Sequence, residues 1–153
     1  GVILFEKVYA LVGELFPEKE EKTTTYLMAT YRFYLVDDDR FLLDMYAVKF
    51  KAAGHDVTAF QNGEEAIQAL RDKPAPDAML LDIVMPNIDG FQILETIRKD
   101  KLAPTTKVIV LSNQGQEADI ERAKALGAAG YIIKASAIPS EVYAETVKII
   151  EAK

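Results

Sequence analysis

The chain has 153 residues, 50% of them hydrophobic, which suits one domain with a substantial core. Its 24 acidic residues against 18 basic ones give a net charge of −6, which argues against a face built to grip nucleic acid directly. There is no cysteine, so disulfides and thiolate metal sites are excluded and a reducing compartment is permitted. No apolar run reaches the roughly 20 residues a membrane helix needs, so the expectation is a cytoplasmic protein with no membrane contact.

Two parts are predicted, 1–25 and 26–153. In the first, Leu4, Phe5, Val8, Leu11, Val12, Leu15 and Phe16 recur at helical spacing and predict an amphipathic helix that Pro17 ends. "PEKEEKTTT" follows as a charged connector. The apolar stripe of this helix calls for burial. Packing on its own domain, pairing two chains as a homodimer, and an origin outside the natural protein weigh equally.

In the second part strands and helices alternate. "RFYLV" predicts a strand, and Arg40 to Ala53 a helix with Asp39 as its cap and Gly54 closing it. His55 falls in the loop that follows and is expected to be solvated. "VTAF" is a short strand, and "QNG" opens a helix through about Asp72, stopped by Pro74 and Pro76. "AMLLD" is a strand, followed by a loop and a helix from about Phe91 to Lys99. "KVIVLS" is a strand, then a helix from about Glu117 to Leu126, closed by Gly127. "GYIIK" is the last strand, and a helix runs from about Ser140 to Ala152. Five apolar strands alternating with helices imply right-handed crossovers and a flavodoxin-like, doubly wound parallel sheet with helices on both faces.

In such sheets ligands bind beyond the carboxyl ends of the strands, where strand order reverses. Here the first strand ends in Asp37 and Asp38, the third in Asp82, the fourth in Ser112 and the fifth in Lys134. In the order 2-1-3-4-5 these four strands are contiguous and their ends converge. Two carboxylates about 4 Å apart repel by roughly 4 kcal/mol at an effective dielectric of 20, so a cation is needed among them. Singly, a strand-end aspartate is more often a helix cap, a serine a turn former and a lysine a solvated end. Together they suit phosphoryl transfer to a carboxylate. Three acids favour Mg²⁺, held by Asp38 and Asp82 directly with Asp37 nearby or through water. Asp82 would be the nucleophile, forming an aspartyl-phosphate. Lys134 would offset phosphoryl charge and Ser112 would donate a hydrogen bond to a phosphoryl oxygen.

The elements "LVDDD", "LLDIVMPNIDGFQIL", "VIVLS" and "GAAGYIIK" closely resemble the receiver domain of bacterial response regulators, over roughly Tyr31 to Ala152. The resemblance implies Asp82 as phosphoacceptor, Asp37 and Asp38 as the acidic pair, and the Val84 carbonyl as a further Mg²⁺ ligand. It implies Ser112 and Tyr131 as switch residues and Lys134 as the conserved-position lysine. It also implies a histidine kinase or phosphotransfer protein as donor, a downstream protein as target and a protein that is not a turnover enzyme. The end of the chain just after the last helix gives the expectation of a stand-alone receiver, with a fragment of a longer regulator as the alternative. One departure is visible. The family has Lys–Pro with a cis peptide after the fifth strand, whereas this chain has Lys134–Ala135. Either Ala135 carries a non-proline cis bond, at about 3 kcal/mol, or the loop is trans.

Two other classes of protein share parts of this pattern. A metal-dependent phosphohydrolase of similar fold would use the same intermediate but expects Asp–x–Asp, and Ile83 and Val84 follow Asp82. A flavodoxin-like FMN binder would place a hydroxyl-rich loop where this chain places three aspartates.

Overall fold

The computed structural model describes residues 30–152. The predicted N-terminal helix and linker, and any pairing of two chains through them, lie outside the described residues.

Five parallel strands form one sheet in the order β2-β1-β3-β4-β5. They are β1 (Arg32–Val36), β2 (Asp56–Phe60), β3 (Ala78–Leu81), β4 (Lys107–Ser112) and β5 (Gly130–Ile133). The intervening helices are α1 (Arg40–Ala52), α2 (Gly63–Asp72), α3 (Gly90–Lys99), α4 (Glu117–Ala125) and α5 (Pro139–Glu151). A short 3₁₀ turn, Lys134–Ser136, follows β5. The predicted last strand therefore stops one residue early, and Lys134 opens the turn instead of closing the strand.

Each strand sends alternate side chains to opposite faces, and both faces are apolar. Phe33, Leu35, Ala78, Leu80, Ile109 and Leu111 pack with Leu43, Tyr46 and Phe50 of α1 and Val142 of α5. On the other face Tyr34, Val36, Met79, Leu81, Val108 and Val110 pack with residues of α2, α3 and α4. Strands buried on both sides must read as continuous apolar runs, which is why "FYLV" and "AMLL" were legible as strands.

Helix starts follow local chemistry. The Asp39 carboxylate accepts from the Leu42 N–H at 3.2 Å, and Asn62 accepts from Glu65 at 2.9 Å. Asp89 and Gln92 form a reciprocal capping box at α3. Pro139 occupies the first turn of α5, where its missing N–H costs nothing. Gly54 and Gly127 close α1 and α4 with φ of +93° and +97°. No cis peptide bond occurs among the described residues, so Lys134–Ala135 takes the trans alternative.

Gly90 is required by close approach. A Cβ there would lie 2.4 Å from the Asp82 carbonyl oxygen and 2.8 Å from Ile83 Cα. Both are backbone atoms and cannot rotate aside. The Gly90 N–H also donates to the Ile83 carbonyl at 2.9 Å, drawing α3 against the end of β3. Gly90→Ala is expected to destabilise the protein by about 1–3 kcal/mol, the usual range for overpacking. Urea unfolding checks this, and an unchanged midpoint would show that α3 can back away from β3 without cost.

Candidate functional site

Register brings the acids together. Val36 pairs with Leu81, so the next residues, Asp37 and Asp82, leave their strands side by side. Their backbones are still held: the Asp37 N–H donates to the Phe60 carbonyl at 3.1 Å and the Asp82 N–H to the Val36 carbonyl at 3.0 Å. Asp37 continues the alternation of Phe33 and Leu35, Asp82 that of Ala78 and Leu80, and Lys134 that of Ile132. All three thus fall on the sheet face covered by α1 and α5. Oxygens of Asp37, Asp38 and Asp82 lie within 4.8 Å of one another.

The Lys134 ammonium bridges the pair. It donates to Asp37 Oδ2 through a short contact and to Asp82 Oδ2 at 3.3 Å. The side chains of Lys134, Asp37 and Asp82 are all about one-tenth exposed or less. Burial pushes the Asp37 carboxyl above the usual carboxylate range, and neither Lys134 nor the Asp39 N–H restores it. Burial alone would lower Lys134, but contact with Asp37 and Asp82 outweighs it and holds the ammonium above the ordinary lysine value.

The surrounding backbone fixes the rest. The Asp39 N–H donates to Asp37 Oδ1 at 2.9 Å and the Val84 N–H to Asp82 Oδ1 at 3.2 Å. Ser112 is buried at the end of β4, and its Oγ accepts from the Gln114 N–H at 3.2 Å, leaving the hydroxyl proton available to donate. Asp38 is exposed at the rim. An open cleft of about 450 Å³ is lined by Asp37, Asp38, Asp82, Val84, Ser112 and Lys134, so every predicted site residue except Tyr131 faces it.

Tyr131 is half-buried and packs against the cluster on the α2–α4 face. Its hydroxyl donates to the Gln114 backbone carbonyl. The sequence reading missed Gln114, which contributes through its backbone and so leaves no side-chain signal. It also misjudged His55, which is buried. Tyr31 and Tyr143, far away in sequence, enclose its ring and supply its hydrogen bonds.

The three carboxylates converging in one open cleft form a hard oxygen donor set that fits a small divalent cation. Asp37, Asp38 and Asp82 could hold it. The fold and cleft define a flavodoxin-like α/β protein with an acidic site at the carboxyl ends of its central strands.

Residues 33–143 match the family model of the response regulator receiver domain, and the chain belongs to this family. It is 35% identical over 103 residues to regulatory protein VanRc of Enterococcus gallinarum, covering 67% of this chain and 43% of that protein. The chain therefore spans less than half the length of that relative. Against protein PilH of Pseudomonas aeruginosa it is 33% identical over 103 residues, covering 67% of this chain and 84% of the relative. The BeF3-activated receiver domain of DrrB, a Thermotoga maritima protein, superposes with a TM-score of 0.69 at 25% identity, covering 81% of this chain and all of that one. Receiver domains are signalling domains of two-component systems, not turnover enzymes. Among the described residues no helix is long and apolar enough to cross a membrane.

The raised pKa of Asp37 has a signed consequence. The folded state binds its proton more tightly than the unfolded chain, so this group's contribution favours folding at low pH. That contribution is lost as pH rises from about 3.8 through the folded value. In chelator at neutral pH, Asp37→Asn is expected to raise the urea midpoint, because the amide keeps the Asp39 contact and removes the buried charge. A lower midpoint would mean that the Lys134 pairing outweighs desolvation.

Proposed function

We propose that this chain is a phosphoacceptor receiver whose Asp82 takes a phosphoryl group from the phosphohistidine of a histidine kinase or phosphotransfer protein. The observation that carries this reading is the crowding of Asp37, Asp38 and Asp82 within 4.8 Å of one another, with Lys134 on two of them.

One Asp82 carboxylate oxygen forms the new O–P bond as the N–P bond to the donor imidazole breaks, and the imidazole leaves with the electron pair. Bound Mg²⁺ would supply charge neutralisation for the phosphoryl oxygens, with Asp37, Asp38, Asp82 and the Val84 carbonyl as its protein ligands. Lys134 holds Asp82 in place before transfer and offers a point charge to a phosphoryl oxygen afterwards. The Val84 N–H on the other Asp82 oxygen fixes the carboxylate plane. Ser112 donates its hydroxyl proton to the phosphoryl group. That pulls on the loop carrying Gln114, whose carbonyl holds Tyr131. The phosphoryl group thereby favours a second arrangement of Ser112 and Tyr131, and a downstream protein reads the changed surface. Ile83 and Val84 place no second acid two residues after Asp82, so a phosphohydrolase gains no support from the cleft.

Incubation with a small phosphodonor and Mg²⁺ followed by intact mass tests the chemistry. One added phosphoryl group is expected in the wild type, and none in Asp82→Asn or in chelator. A wild-type protein that stays unmodified, or an Asp82→Asn protein that is modified equally, would overturn the assignment.

A further inference from the structure

His55 is the one histidine of the chain. It precedes β2, at the end of the sheet opposite the acidic cleft, and the chemistry proposed above does not use it. Its residue is 7% exposed. Nδ1 accepts the backbone N–H of Tyr31 at 3.0 Å, and Nε2 lies 2.7 Å from the Tyr143 hydroxyl. A backbone N–H can only donate, so Nδ1 must carry a lone pair. The ring is therefore the neutral tautomer with its proton on Nε2, donating to Tyr143.

The surroundings are aromatic. The rings of Tyr31, Phe33 and Tyr143 lie 5.3, 5.3 and 5.6 Å from the imidazole. Phe50 of α1 meets Tyr143 edge-on at 5.2 Å. Among the described residues the charged neighbours are otherwise engaged or not in contact with the ring. Asp77 accepts from the Arg32 N–H at 2.8 Å, and Glu151 of α5 accepts from the Tyr31 hydroxyl at 2.9 Å. Asp56 at the start of β2 and Asp77 favour protonation from a distance, but burial outweighs them and holds His55 below its ordinary value. Lys49 and Lys51 stand in the last turn of α1.

We propose that His55 is an acid-sensitive latch: neutral, it ties the chain leading into β1 to α5, and protonated, it releases both. A proton on Nδ1 would meet the Tyr31 N–H donor against donor, so that hydrogen bond breaks. The imidazolium, with no carboxylate in contact among the described residues, turns toward water. Tyr143 then loses its partner and α5 loses one of its fastenings to the sheet. The device lies at the opposite end from Asp82 and operates with or without phosphorylation.

The sign follows from linkage. The closed form holds its proton more weakly than the open form, so acid favours opening. Opening increases about tenfold per pH unit as pH falls from about 6.5 to the value of His55 itself, then levels off.

The test is an NMR titration of the wild-type protein from about pH 8 to about pH 5, where a single histidine makes the ring signal unambiguous. It is combined with amide hydrogen exchange at Tyr31. The ring is expected to titrate below about 6.5. Tyr31 protection, corrected for intrinsic exchange, is expected to fall about tenfold per pH unit across that window. His55→Asn supplies a non-titrating acceptor near the Nδ1 position and is expected to make protection independent of pH. Tyr31 protection that stays constant while the ring titrates, a ring pKa at or above the ordinary value, or the same loss in His55→Asn would each overturn the proposal. The wild-type titration decides it even if the variant does not fold.

Discussion

The Lys134 ammonium between Asp37 and Asp82 is the contact on which the site depends. Parallel register forces the two carboxylates to leave adjacent strands at one level and on one face. The backbone of each is pinned by a ladder hydrogen bond, so neither can retreat. Side by side in a partly dry cleft, they would repel by several kcal/mol at an intermediate dielectric. One buried cation from the neighbouring end of β5 offsets both. That solution is incomplete, because Asp37 stays harder to ionise than a free aspartate even with its lysine. A site with charge left to neutralise is one that still attracts a cation, and the domain gives up some stability to keep it so.

The two faces of the sheet divide the labour. Lys134 and Tyr131 are three residues apart on one strand and its continuation, an odd offset that sends them to opposite faces. Lys134 meets the acids on the α1/α5 side. Tyr131 packs on the α2–α4 side and reaches back to the Gln114 carbonyl. Ser112 stands at the end of β4, the neighbour of β5, and accepts from the Gln114 N–H. The same two-residue step past Ser112 therefore holds both the hydroxyl in the cleft and the tyrosine on the far face. Any displacement of that step is felt at both.

The sequence made the strands and the cleft residues legible because each rests on a local pattern. Fully apolar runs mark doubly covered strands, Asn62 and Asp39 mark helix starts, and polar residues at strand ends mark the rim. What stayed hidden depends on contacts between distant segments. His55 sits in a polar loop by sequence and becomes a core residue only because Tyr31 and Tyr143 close over it. Gly90 belongs to the motif that carries the resemblance, but the reason it must be glycine, the Asp82 carbonyl beneath it eight positions away, is one that no periodicity reveals. The end of β5 was misjudged by one residue because Lys134 follows "GYII" without a breaker, and the turn is set by where its ammonium must reach.

Burial acts on both ends of this domain with the same physics and opposite sign. It disfavours the charged form of Asp37 and of His55 alike. For the acid this means a penalty that grows as pH rises from about 3.8 through the folded value. For the base it means stability that is fully present at neutral pH and lost only on acidification. The histidine end therefore reaches its best state without help, since its neutral ring satisfies Tyr31 and Tyr143 at once. The aspartate end does not, since burial still disfavours the charged form of Asp37 even beside Lys134. A ligand can shift an equilibrium only where it relieves something, and the unrelieved burial lies at the carboxyl end of β1.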